Sequence, residues 1–370
     1  MKRCLFFLII LFVIAFIFLG CKKKEEVIKI GIAGPMTGPQ AKMGTDFRNG
    51  VTIAIEEWNE KGGVLGKKVE IIVGDDQADP KQAVAVANKM VNEGVIGIIG
   101  HFNSSCSIPA SDVYNRAGIP MITPASTNPQ LTERGYRGVF RVCGRDDQQG
   151  MVAAQFVLNK LMAKKIAIIH DKTTYGQGLA DEFKKNLANI EVVYYGGITQ
   201  GDKDFKTVLT SIKTKNPDLI YFGGIYPEAG LLVRQAREIG LNVPFMSGDG
   251  TIDPKFIEIA GKEAAEGTFL TFGPDPKNIP TAKNFIDKYN SRFGEIGPYS
   301  IYAYEATNIL LTAIKDAETT DGKTIIEKLH TMEFSGSLGT IRFTEKGDVA
   351  VAPYVIWVTK DGKFSEYWKP

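Results

Sequence analysis

Histidine is scarce, with His101, His170 and His330 the only three in 370 residues. An imidazole-based zinc site or acid–base triad therefore has little to draw on. Tryptophan is as rare, at three, and four cysteines are too few for a disulfide scaffold. No charge of one sign dominates: 44 Lys and Arg against 42 Asp and Glu leave a net +2, with no basic excess for a nucleic-acid groove. There is neither a Gly-x-x-x-x-Gly-Lys-Ser/Thr phosphate loop nor a Gly-x-Ser-x-Gly nucleophile elbow. Tyr175-Gly176-Gln177-Gly178 lacks the third glycine of a dinucleotide turn. These absences leave an enzyme with the least support, and no cofactor or nucleic acid is expected.

Apolar residues make up 44% of the chain, and glycine, at 39, is abundant, a balance suited to short turns joining strands to helices. The longest apolar run, 5–19, follows Met1-Lys2-Arg3 and ends at Gly20-Cys21. It reads as a lipoprotein signal peptide over 1–20, with Cys21 lipidated and 21–26 a charged tether. The alternative is an uncleaved membrane anchor. Either places the body outside the cytoplasm, periplasmic or at the cell surface. Removing Lys2 and Arg3 takes the 44 basic residues to 42, equal to the 42 acidic ones. Of the cysteines, only Cys106 and Cys143 then remain, able to pair or to sit buried singly.

From Val27 the sequence alternates. Short apolar runs at 27–32, 68–73, 95–99 and 119–123 predict strands, and Phe47, Val51, Ile55 and Trp58 mark one face of a helix between the first two. The pattern restarts after Asp146, with strands at 165–170, 192–195, 219–222, 243–246 and 267–272 separated by helical stretches. Runs without polar alternation are those of buried parallel strands, so two doubly wound α/β lobes are expected. Helices at 282–293, 302–317 and 323–332, a strand at 340–343 and a hairpin over 353–368 complete lobes already begun. Asp75, Asp76 and Asp79 invite a metal, but they precede Pro80 at a helix start, where carboxylates cap amides.

In doubly wound sheets ligands sit beyond the carboxyl ends of the strands. Ser104 and Ser105 follow the 95–99 run and open a helix, so they either cap it or hold a small anion there. Ala125, Ser126 and Thr127 form a second hydroxyl-rich loop, which is otherwise a turn. Asp249, between Gly248 and Gly250, places a carboxylate at a strand end in the second half, where it suits an ammonium group. Anion-binding loops in one lobe and an acid in the other suit a zwitterion held between them.

Gly100-His101, Ser104-Ser105, Pro109-Ala110-Ser111-Asp112 and Ile122-Thr123-Pro124-Ala125, with Asp75-Asp76 ahead of Asp79-Pro80-Lys81-Gln82-Ala83, resemble the branched-chain amino-acid-binding proteins of ABC importers. His170-Asp171-Lys172, Tyr175-Gly176 and Gly223-Gly224 before Pro227-Glu228 extend the resemblance through the second half. It implies the type I periplasmic binding protein fold, two Rossmann-like lobes on a three-segment hinge. The lobes would be 27–145 with 275–348, and 146–274 with 349–370. It also implies a monomeric receptor that takes leucine, isoleucine or valine and delivers it to a permease with its ATPase subunits. A sensing receptor for another small amino acid, amide or carboxylic acid is the alternative. The ligand carboxylate would meet Ser104 and the Thr127 amide. The ammonium would lie between the Ala125 carbonyl, the Thr127 hydroxyl and Asp249, with Tyr175 and Tyr226 as aromatic contacts. The family often has glutamate where Asp249 stands and tyrosine where Met43 stands. Its first-lobe disulfide would need cysteines at Ala78 and Asn103, so Cys106 and Cys143 are expected to be free.

Overall fold

The computed structural model describes residues 26–188 and 190–370. The signal segment and Cys21 lie outside the described residues. Five parallel strands form the first sheet, in the order β2-β1-β3-β4-β5: β1 (Ile28–Gly34), β2 (Val69–Asp75), β3 (Gly97–Gly100), β4 (Met121–Thr123) and β5 (Val139–Arg141). Helices α1 (Ala41–Glu60), α2 (Pro80–Asn92) and α3 (Ser104–Ala117) link them. Helix α1 buries Met43, Phe47, Val51 and Ile55, the stripe expected from their spacing of four. Helix α2 begins at Pro80, and Asp79 Oδ1 caps it by accepting from the amides of Lys81 and Gln82.

The chain then moves to a seven-stranded sheet through α4 (Asp146–Phe156). Its parallel part, in the order β10-β9-β8-β6-β7, comprises β6 (Lys165–His170), β7 (Glu191–Gly197), β8 (Leu219–Gly223), β9 (Phe245–Ser247) and β10 (Phe269–Phe272). The intervening helices include α5 (Thr174–Lys185), α6 (Lys206–Lys213) and α7 (Tyr226–Glu238). Helices α8 (Lys283–Phe293), α9 (Ser300–Ala317) and α10 (Gly322–Thr331) follow, and α9 packs on α1 and β3 of the first sheet. A small hairpin, β11 (Phe334–Gly336) and β12 (Gly339–Ile341), precedes β13 (Val355–Lys360) and β14 (Lys363–Trp368). These last two strands add antiparallel to β10 and extend the second sheet. The chain thus passes between the sheets three times, at 142–145, at 273–275 and just before β13.

Three of these elements, β5, α4 and the short β11, differ from the sequence expectation. Strand β5 was not anticipated because one of its three residues is Arg141. That side chain is nevertheless fully buried, and its guanidinium lies 2.7 Å from Asp348 Oδ1. Arg145 reaches the other oxygen of Asp348 at 2.8 Å, so the first and third passages are tied together. Helix α4 was also missed, because its buried face includes Asp146, Gln149 and Gly150 rather than an apolar stripe. Cys106 and Cys143 are both free and buried.

Candidate functional site

The loops after β3 and β4 meet those after β6, β8 and β9, bringing the carboxyl ends of both sheets together. His101 fixes the β3 loop from below, with Nδ1 2.7 Å from Asp76 Oδ2 and Nε2 3.1 Å from the Tyr114 hydroxyl. Asn103 precedes α3, yet no side chain caps that helix. Its first amides and the positive end of its dipole therefore remain for an anion. Ser104 does not cap the helix; its Oγ accepts from the Asn128 amide at 3.2 Å. Ser126 is committed elsewhere, its hydroxyl 2.8 Å from the Phe102 carbonyl and 2.6 Å from Ser107 Oγ. Arg141 donates to the carbonyls of Ser126 and Asn128 and shapes the second loop from behind. Thr127 Oγ1 is buried beside the Asp146 carboxyl.

On the other side, Asp171 Oδ1 accepts from both the amide and the hydroxyl of Thr173. The Thr173 hydroxyl in turn caps α5 by accepting from Gly176, which fixes Tyr175 in the first turn. Burial pushes the Asp171 carboxyl up to about 6. The Tyr175 hydroxyl accepts from the Gly250 amide at 2.8 Å and donates to Asp249 Oδ1 at 2.7 Å. Gln149, from α4, clamps Asp249 twice: Nε2 donates to Oδ1 at 2.8 Å, while Oε1 accepts the Asp249 amide at 2.8 Å. Thr271 steadies that amide group by donating to Oε1 at 2.6 Å. Asp249 Oδ2 accepts from the Tyr299 hydroxyl at 2.9 Å. Burial raises the Asp249 carboxyl above its ordinary range, and the hydrogen bonds from Gln149, Tyr175 and Tyr299 pull the other way. Asp146, entirely buried nearby, is pushed far higher by burial and by the negative charge of Asp249.

Gly248 and Gly250 flank Asp249, where the lack of side chains could open the backbone to a ligand. The structure gives them a different task. A Cβ on Gly248 would come within 2.3 Å of Leu179 Cδ2 and 2.6 Å of Gln149 Oε1. On Gly250 it would come within 2.9 Å of the Tyr175 hydroxyl and of the Gly224 carbonyl. The glycines admit the donors that hold the acid.

Between the two sides lies a small, tightly closed chamber lined by Ser104, Ala125, Tyr175, Asp249, Gly250 and, on its apolar side, Phe102, Ile225 and Tyr299, with Asn103 completing it. Four of the sequence candidates, Ser104, Ala125, Tyr175 and Asp249, thus share one space. Ser105, Ser126, Thr127 and Tyr226 do not line it. Tyr226 instead bridges the two halves, its hydroxyl donating to the Pro39 carbonyl at 2.6 Å. Sequence reasoning missed Gln149 and Tyr299, because neither stands in a recognisable motif and both act on a residue at least 50 positions away. No group of His, Cys, Asp and Glu among the described residues is arranged to hold a metal ion.

Two doubly wound sheets crossed three times by the chain, with a largely apolar chamber carrying polar groups at its ends between their carboxyl ends, define a two-lobed binding protein of the type I periplasmic class. The periplasmic binding protein family model matches residues 27–363, and the chain belongs to that family. It is 43% identical over 343 residues to a Leu/Ile/Val-binding protein homolog of Brucella suis, covering 92% of each chain. Among solved structures, the leucine binding protein of Thermotoga maritima superposes with a TM-score of 0.87 at 34% identity, over 93% of this chain and 99% of that one. The branched-chain amino acid transporter substrate binding protein of Streptococcus pneumoniae, in complex with isoleucine, superposes with a TM-score of 0.86 at 29% identity, over 93% and 100%.

Proposed function

We propose that this protein is the extracytoplasmic receptor of an ABC importer and captures leucine, isoleucine or valine between its lobes for delivery to a membrane permease. The observation that carries this reading is the polarity of the chamber. An uncapped helix N-terminus with Ser104 stands on one side, a buried carboxylate on the other, and Phe102 and Ile225 between them. A free α-amino acid with an aliphatic side chain has the matching order of charge and apolar surface. Its carboxylate meets the first amides of α3 and the Ser104 hydroxyl. Its ammonium meets Asp249 and the Ala125 carbonyl. The kinship with proteins named for leucine, isoleucine and valine supports the same ligand class.

The lobes in this reading are 27–145 with 275–348, and 146–274 with 349–370, hinged at the three passages. Capture is binding without chemistry, so the receptor is no enzyme. A lipid on Cys21 holds it to the membrane outside the cytoplasm, consistent with a described body in which no helix is long and apolar enough to cross a membrane. The test is a thermal-shift screen of the purified mature domain against the common amino acids, short amides and aromatic acids. Leucine, isoleucine and valine should raise the melting temperature most, by mass action. A profile led by acids or amides without an ammonium group would overturn the assignment.

A further inference from the structure

Beyond the ligand chamber lies a larger pocket bounded by all three passages between the lobes. Val142, Phe272, Tyr302, Leu338, Val349 and Tyr354 give it an apolar, aromatic lining. The two spaces share two lining residues, Asp249 and Tyr299. The Tyr299 ring stands between them. On the chamber side, Phe102 meets it edge-on at 5.3 Å between centroids. On the far side, Phe272 meets it edge-on at 5.4 Å, and Tyr302 is 6.3 Å away. The ring is held in that plane because its hydroxyl is bound to both the carboxylate and the carbonyl of Asp249, at 2.9 and 3.1 Å.

We propose that Tyr299 is a specificity-determining partition: it walls the chamber off from the apolar space behind it and denies that space to larger aromatic amino acids. This rests on the amino-acid reading above. The physical reason for needing a wall is that an apolar pocket discriminates weakly against extra apolar bulk when there is room to accept it. Here the room exists a single ring's thickness away. A rigid, hydrogen-bonded ring excludes a large side chain more sharply than a freely rotating aliphatic one, because moving it would also strip Asp249 of a donor.

The test is calorimetric titration with L-leucine and L-phenylalanine. Wild-type protein should bind phenylalanine at least about tenfold more weakly than leucine. Tyr299→Ala should shift the ratio toward phenylalanine by at least about tenfold. Tyr299→Leu serves the same purpose with less lost volume if the alanine variant does not fold. Tyr299→Phe keeps the ring, so it should weaken both ligands together and leave their ratio within about threefold of wild type. The proposal is overturned by wild-type protein that takes phenylalanine as tightly as leucine. It is also overturned by a folded alanine or leucine variant with an unchanged ratio, or by a phenylalanine variant that shifts the ratio as far as the alanine variant does. Wild-type protein that binds no branched-chain amino acid sinks the proposed function and this inference with it. Leucine binding by wild type with a failed variant series sinks the inference alone.

Discussion

The two walls of the chamber are made in opposite ways. The wall from the first sheet has no ionisable acid or base: Phe102, Asn103, Ser104 and Ala125 line it, and its attraction for an anion comes from the open end of α3. The wall from the second sheet depends on one full charge, Asp249, and surrounds it with Gln149, Tyr175 and the reach of Tyr299. Backbone amides are fixed by the helix that supplies them, and they need no support to stay polar when buried. A buried carboxylate needs donors, or it takes up a proton. The number of supporting side chains on each side follows from that difference.

The largest effect should come from removing the charge itself. Asp249→Asn should weaken leucine binding by roughly 2 to 5 kcal/mol, at least about thirtyfold, because the ammonium would be left without its counter-charge in a nearly dry site. A 2-oxo acid of the same side chain lacks the ammonium and should be spared. If calorimetry finds leucine affinity within about threefold of wild type, the second wall does not work by charge and the contrast fails.

Acidity probes the same charge without mutation. Burial raises the Asp249 pKa, so the empty folded protein keeps this proton at pH values where the unfolded chain has lost it. The contribution of Asp249 to the stability of the ligand-free protein therefore declines as pH rises from the ordinary carboxylate range through the raised value. Leucine affinity moves the other way over that window, since only the ionised form pairs with an ammonium. It should fall as pH drops below the raised pKa, by up to about tenfold per unit, with proton release on binding. Titration in buffers of different ionisation enthalpy measures that release. Asp249→Asn should abolish it, and a pH dependence that survives the substitution would point to another group.

Gln149→Leu separates the support from the charge. It removes one donor from Asp249 Oδ1 and leaves the Asp249 amide and the Thr271 hydroxyl without their acceptor. Stability should fall by about 1 to 3 kcal/mol and leucine affinity by roughly tenfold, while the order of preference among leucine, isoleucine and valine stays the same. Calorimetry and urea unfolding read the two effects. An affinity loss equal to that of Asp249→Asn would mean that Gln149, rather than the acid, meets the ligand.

The contrast between the walls also explains what the sequence made legible. Strands such as Lys165–His170 and Leu219–Gly223 announce themselves because a strand buried on both faces is a continuous apolar run. Ser104 and Asp249 stand out as candidates because strand-end loops carry ligands in this architecture, and the structure lines one chamber with both. Strand β5 stayed hidden because Arg141 is made burial-compatible by Asp348, more than 200 residues later, a contact with no local trace. The same holds for α4, whose polar inner face makes sense only beside Asp249, and for Tyr299, whose partner lies 50 residues earlier. Local periodicity records what a segment does with its own apolar residues. It is silent on polar groups that are satisfied from afar.

The smallest expected effect lies on the uncharged wall. Ser104 offers one hydroxyl among several backbone donors, and that hydroxyl accepts a long bond from the Asn128 amide. Ser104→Ala removes a single neutral donor and leaves the end of α3 in place, so leucine affinity should fall by about 0.5 to 1.5 kcal/mol, roughly two- to tenfold. Ser105 does not line the chamber, and Ser105→Ala should change affinity less than Ser104→Ala does. Measured together by calorimetry, the pair tests whether the first wall is a distributed one. If Ser104→Ala cost as much as Asp249→Asn, the carboxylate would be held by one hydroxyl instead of by the helix end. The two walls would then be alike in resting on a single side chain each.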